Sequence, residues 1–226
     1  MPSIVGNIAG IDIVEEDDKS VTYTAGAQLD GDGANGQFGG APCYAPPSFG
    51  GKTLDLLANG GHPGNWWGVV TDTGKPTGTP IVQGPSDPCP GAYISATSLL
   101  LPGKNGEKLP NSSPFKYVDA ATVAYVVVPP MVVNGVNGVV MGCRAVVTNT
   151  LNGKSVEAVV ADGGNSDKLG ELSLACAIAI GVPVAINSAH PANSGGIDAG
   201  QHVIHYRLFP GTAGKVAGVT YPLQPS

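Results

Sequence analysis

Short apolar runs set off by turn residues dominate this chain, and one of them has the length and composition of a helix. Gly10 to Val14 and Ser20 to Thr24 read as strands, with the charged run Glu15-Glu16-Asp17-Asp18-Lys19 between them as a solvated turn. Residues 30–92 are dense in Gly, Pro and Asn and hold one candidate helix, Leu54 to Ala58. An irregular stretch of that length in a folded chain is expected to frame a functional cleft. From Ala92 to Thr150, and again from Gly153 to Asp162, the chain turns strand-rich, with Leu151-Asn152-Gly153-Lys154 as a hairpin turn. Gly163 and Gly164 break the apolar run Val156 to Ala161, Leu172 to Ile180 follows as the main helix, and Gln201 to Phe209 alternates as a strand. Gly211 to Ser226 is a Gly/Pro-rich tail with room for one more strand.

Many strands, one helix and several fully apolar runs predict a mainly β chain, a closed or nearly closed barrel with long Gly/Pro-rich loops. With no repeat and no linker, residues 1–226 are expected to form a single domain. Glycine (34) and proline (20) make up almost a quarter of the 226 residues, yet hydrophobic content is 42%, which favours ordered turns over disorder. Charged residues are only 12%, too few for a coiled coil or a charged tail. The net charge of −6 and the 11 scattered Lys and Arg argue against nucleic acid and suit a cationic ligand. The apolar runs Leu172 to Ile186 and Ala120 to Val133 are broken by Gly or Pro and fall short of the roughly 18 residues of a membrane helix. Met1 to Val14 has neither a basic start nor a cleavage site, so it does not read as a signal peptide. Cys43 and Cys89 lie in loops and are the expected disulfide pair, whereas Cys143 and Cys176 sit in apolar elements as buried thiols.

The candidate chemistry centres on Asp162 and Glu171, nine positions apart around the strand-to-helix junction. Two carboxylates held at the ends of neighbouring elements, with glycines leaving room for a substrate, suit glycosidic hydrolysis, in which one protonates the leaving oxygen and the other activates water or attacks. The same residues equally serve as a turn cap and as a first-turn helix carboxylate.

Several segments together resemble the chitosanases of glycoside hydrolase family 75. The resemblance rests on Asp162-x-x-Asn165 followed by Gly170-Glu171-x-Ser173, on Leu29-Asp30-Gly31-Asp32-Gly33, and on Tyr93 to Leu99. It extends through Tyr117-Val118-Asp119-Ala120 leading to Tyr125 to Pro129, and Tyr206 to Gly211, so that it runs over about 25–213. The loop between the two carboxylates is short against the family pattern. The resemblance implies an endo-acting enzyme cleaving β-1,4 bonds of chitosan without metal or cofactor, a six-stranded double-psi barrel, and Asp162 and Glu171 as the catalytic pair. It also implies inversion, with Glu171 as general acid, Asp162 as base and carboxyl groups about 6.5–9.5 Å apart. A helix N-terminus beside Glu171 opposes the acid role by about 0.3–1 kcal/mol, and crowding by Asp162 with partial burial favours it. The expected partner is a polysaccharide outside the cytoplasm, met by a monomer, with no nucleic acid and no membrane.

Asp30, Asp32 and Asn165 are candidate substrate contacts; Asp30-x-Asp32 begins like a calcium loop, but Gly33-Ala34-Asn35-Gly36 lacks the later ligands. Trp66 and Trp67, in His62-Pro63-Gly64-Asn65-Trp66-Trp67, are candidate platforms for a sugar face, or a pair pinning the long loop to the core. His202 and His205 are expected on opposite faces of a strand and so make no metal site. Two rivals keep part of this reading: a hydrolase of the peptidoglycan backbone delivered as an antibacterial effector, and a carbohydrate-binding barrel without activity.

Overall fold

β-branched residues and alternating burial turn most of the apolar runs into strands. The computed structural model describes residues 1–135 and 138–225, and it is mainly β, with 34% strand and 9% helix. In chain order the strands are β1 (Ser3–Ile8), β2 (Ile11–Glu15), β3 (Val21–Ala25), β4 (Gln28–Asp30), β5 (Gly61–His62), β6 (Asn65–Trp66) and β7 (Tyr125–Val128). Helix α1 (Pro130–Gly135) precedes β8 (Cys143–Asn149), β9 (Ser155–Gly163) and β10 (Glu171–Ser173), and α2 (Leu174–Ala179) precedes β11 (Ile204–Ala213), β12 (Lys215–Val216) and β13 (Val219–Thr220). The chain packs as two compact units: Met1–Asp30, Val123–Val184 and Gly195–Ser226 form the first, Gly31–Thr122 and Ala185–Ser194 the second.

The first unit carries one curled sheet of nine strands in the order β1-β2-β3-β11-β8-β9-β7-β10-β4. β8 alternates strictly between buried and half-buried residues, as a strand with one covered face does, whereas all four residues of β7 are buried. β7 pairs in parallel with β9 and antiparallel with β10, and β10 pairs in parallel with β4. The expected hairpin joins β8 to β9. Between β3 and β11 the rings of Tyr23 and Tyr206 face each other in register and stack at 4.8 Å. The Tyr206 hydroxyl donates to the Gly26 carbonyl at 2.8 Å.

Three expectations change. The helix expected over Leu172 to Ile180 begins at Leu174, because Glu171 and Leu172 continue the sheet and Ser173 is the N-cap, its Oγ accepting the Cys176 amide at 3.1 Å. Ser173 also accepts the Tyr125 amide at 3.0 Å and donates to the Val123 carbonyl at 2.8 Å, so one hydroxyl ties β10, β7 and α2 together. Glu171 therefore lies on a strand and not in a helical first turn. Cys43 and Cys89 are both thiols, not a disulfide, and the Cys43 Sγ sits 3.6 Å from Oδ1 of Asp32. Finally, β11 begins at Ile204, which leaves His202 off the strand, and both histidines line one hollow over β2 and β3.

The second unit holds the Gly/Pro-rich region. Isolated bridges, the β5–β6 hairpin and short 3-10 turns such as Leu57–Asn59 replace long strands, around a small core of Val70, Ile94 and Tyr117. Asp119 is buried in this unit, its Oδ1 accepting the Ala121 amide at 2.9 Å and its Oδ2 without a partner among the described residues.

Gly170 adopts φ +92°, and a Cβ there would stand 2.8 Å from that of Ala25 and 2.9 Å from the Gly26 carbonyl oxygen. Gly170→Ala is therefore expected to lower stability by roughly 2–4 kcal/mol in urea unfolding. Burial pushes the Asp119 carboxyl above its ordinary value of 3.8, and the Ala121 amide, the Thr122 side chain and the Phe38 amide only partly offset it. Such a carboxyl keeps, in the folded chain, a proton that the unfolded chain loses near 3.8, so its contribution to stability fades as pH rises through the folded value. Asp119→Asn should accordingly gain on the wild-type chain in urea midpoint between pH 3.5 and pH 7.5, a window of about four units around that shift.

Candidate active site

Asp162 reaches its position through an irregularity in β9. Val160 pairs with Val126, but Asp162 and not Ala161 pairs with Val127, so Ala161 is an extra residue bulged against β7. Because side chains alternate along a strand, this one-residue slip turns Asp162 onto the face that carries Tyr125 and Val127. Residues 164–170 then cross the end of β7, fixed at the start by the Gly164 amide donating to the Val128 carbonyl at 3.0 Å and at the finish by the Gly170 carbonyl accepting from the Gln28 amide at 2.7 Å. β10 is thereby laid on the opposite flank of β7, with Glu171 also paired to Val127.

Asp162 and Glu171 consequently flank Val127 in register on one face of the sheet. Two inter-strand spacings separate their Cα positions, about 9.5 Å. Asp162 is 7% exposed and accepts its neighbour Gly163's amide at 2.8 Å, whereas Glu171 is half-buried. A Cβ on Gly164 would stand 3.1 Å from Val127 Cγ1 and 3.4 Å from Oε2 of Glu171, so the glycine leaves the Glu171 carboxylate its room. Burial holds the Tyr206 hydroxyl well above its ordinary range, with smaller contributions from Tyr23, Cys176 and the Glu171 carboxylate.

Asp30 joins this face. It pairs with Ser173 across β4 and β10, two residues from the Gln28–Glu171 pair. Its Oδ2 accepts the hydroxyl of fully buried Tyr125 at 3.0 Å, and one of its carboxylate oxygens lies within 4.8 Å of one on Asp162. The role of Tyr125 escaped the sequence reading, which took it only as the start of a central strand; no local pattern marks a hydroxyl that acts 95 residues away. Asn165 is exposed on the crossover, its carbonyl accepting the Lys168 amide at 3.3 Å.

The remaining candidates belong to the second unit. Asp32 accepts the Ser95 hydroxyl at 2.9 Å and the Cys43 thiol at 3.6 Å. Trp66 is 5% exposed, packed 6.1 Å from the Tyr93 ring, so it pins the hairpin to the core and offers no face to a sugar. Trp67 is 59% exposed; its indole N–H donates to the Asn59 carbonyl at 2.6 Å and its ring meets His62 edge-on at 6.1 Å. Of the tryptophan pair, only Trp67 can act as a platform.

No protein-family model matches the chain, and no curated protein matches it.

The two tryptophans make this arrangement measurable. Iodide is expected to quench about half of the native fluorescence, and Trp67→Phe to remove the quenchable component while leaving the blue-shifted emission of buried Trp66. Equal quenching of both rings would contradict the burial of Trp66.

Proposed function

We propose that this chain is an inverting, endo-acting glycoside hydrolase that cleaves β-1,4 bonds of an aminosugar polymer, chitosan being the preferred substrate. The observation that carries the reading is the placement of Asp162 and Glu171 in register on either side of Val127, on one face of a rigid sheet. Side chains rooted at Cα positions about 9.5 Å apart on one face are compatible with the carboxyl separation of roughly 6.5–9.5 Å that inverting enzymes use to seat a water. The net charge of −6 and the nearby Asp30 carboxylate suit a polymer of ammonium groups better than the anionic peptidoglycan backbone. Asn165 on the crossover is the proposed substrate contact beside this pair. The crossing of β7 by residues 164–170 and the two parallel strand pairs support a double-psi barrel over an up-and-down one, whose neighbours are all antiparallel.

Hydrolysis then needs two proton movements. One carboxyl gives its proton to the glycosidic oxygen as the C1–O bond breaks; the other takes a proton from the water whose oxygen bonds C1 from the opposite face. Asp162→Asn and Glu171→Gln are each expected to lower the rate on soluble chitosan by about 10²–10⁴-fold, with the thermal midpoint within about 3 °C of the wild-type value. Reducing-end release is measured side by side on chitosan and purified peptidoglycan. Release from peptidoglycan alone would favour the wall-hydrolase reading, and binding without release from either would favour a non-catalytic barrel.

A further inference from the structure

The second unit carries an aromatic ring that its own backbone holds ready for stacking. The hairpin of β5 and β6 pairs Gly61 with Trp66 and His62 with Asn65, and the Trp66 amide donates to the Pro76 carbonyl at 2.8 Å. Trp66 is buried, and Trp67, the next residue along the extended chain, turns outward with 59% of its surface exposed. The Trp67 and Gly68 amides both donate to the Gly60 carbonyl, at 3.1 and 3.0 Å, which closes the backbone around the base of the exposed ring.

Trp67 is fixed as well as exposed. Its one polar side-chain atom, the indole N–H, donates to the Asn59 carbonyl at 2.6 Å. Asn59 is held in turn, its backbone amide donating to the Leu56 carbonyl at 2.9 Å and its side-chain amide to Oδ1 of buried Asp55 at 2.9 Å. That same oxygen accepts the Leu56 amide at 2.7 Å. This anchoring, through Asn59 to a buried carboxylate, sets Trp67 apart from a scattered surface hydrophobe. An anchored ring has already lost the rotamer freedom that binding otherwise costs, and its polar atom makes no demand on a ligand. The His62 ring stands at 89° to it, with 6.1 Å between centroids. Nδ1 of His62 lies 3.1 Å from the Pro63 carbonyl oxygen, which can only accept, so Nδ1 carries the proton and Nε2 of the neutral ring is an acceptor. An apolar plane and a hydrogen-bond acceptor thus meet in one hairpin.

We propose that Trp67 and His62 form a sugar-binding corner of the second unit, which takes one pyranose ring of a flat, β-1,4-linked polysaccharide. The axial C–H face of the ring lies on the indole, and a hydroxyl or ammonium group donates to Nε2 of His62. Equatorial β-1,4 linkages leave the faces of successive rings open to an aromatic plane, whereas α-1,4 chains coil and hide them. The corner binds and takes no part in bond cleavage; it rests on the proposed hydrolase reading only for glucosamine as the sugar.

Binding is read at neutral pH on the wild-type chain and on Glu171→Gln, which under the hydrolase reading does not consume the probe. Glucosamine hexamer, titrated to about 10 mM, should shield most of the iodide-quenchable tryptophan emission and leave the blue-shifted emission of Trp66 in place. Maltohexaose, an α-1,4 chain, should not. In a chitosan affinity gel run in about 0.3 M salt, which screens the net charge of −6, Trp67→Ala should weaken retention at least about tenfold and His62→Ala about threefold. The fluorescence measurement needs no substitution at Trp67, and it decides the matter should Trp67→Ala fail to fold. Emission that glucosamine hexamer leaves unshielded, or retention unchanged in Trp67→Ala, would overturn the inference whether or not the protein hydrolyses chitosan. Equal shielding by maltohexaose would overturn the assignment to a flat β-1,4 chain. Shielding of Trp67 in a protein that cleaves no chitosan would instead sink the hydrolase reading and leave the sugar corner standing.

Discussion

Strand β7 is hydrogen-bonded on both flanks, to β9 in parallel and to β10 antiparallel, and the candidate site depends on that double pairing. A strand buried on both faces cannot slide without exposing apolar surface, so Tyr125 to Val128 fix the register of everything beside them. Two carboxylates paired to the same Val127 are thereby held at a distance set by sheet geometry and not by loop conformation. The bulge at Ala161 is the one departure from regular pairing along this stretch, and it turns an acidic side chain to the face where Glu171 stands.

What the sequence made legible is what short-range chemistry encodes. The Asn152-Gly153 turn, the apolar run before Asp162, the strand ahead of Pro129 and the irregularity of residues 30–92 all recur in the structure, because turn residues and β-branched runs act over a few positions. The misplacements have a common cause in tertiary pairing. Glu171 and Leu172 have the composition of the helix that follows, but β7 and β4 offer hydrogen-bond partners on both sides, and the Ser173 cap moves the helical start to Leu174. The bulge left no trace in the hydrophobic pattern, since Val156 to Ala161 reads as a continuous apolar strand whichever way Asp162 turns. The β1 edge was missed because Ser3 to Ile8 is mostly exposed and lacks alternation.

The side chains that sequence alone left ambiguous were separated by burial. Trp66 and Trp67 are chemically identical neighbours, yet one is packed against Tyr93 and the other is exposed with its N–H already satisfied by Asn59. Cys43, expected to bridge to Cys89, instead meets the Asp32 carboxylate, a contact no cysteine count reveals. Asp30 and Asp32 looked like one acidic turn, but Asp30 closes β4 with its carboxylate on Tyr125, while Asp32 belongs to the second unit and is held by Ser95.

Placing Asp30 and Asp162 within 4.8 Å on a largely buried face is unfavourable for folding, because two ionised carboxylates repel and both lose hydration. A fold selected for stability alone would put apolar residues there, as it does at the neighbouring Val126, Val128 and Leu172. Among the contacts that offset this are a buried tyrosine hydroxyl on one aspartate and a backbone amide on the other. The nine-stranded sheet supplies the rigidity with which Asp162 and Glu171 are held on either side of Val127.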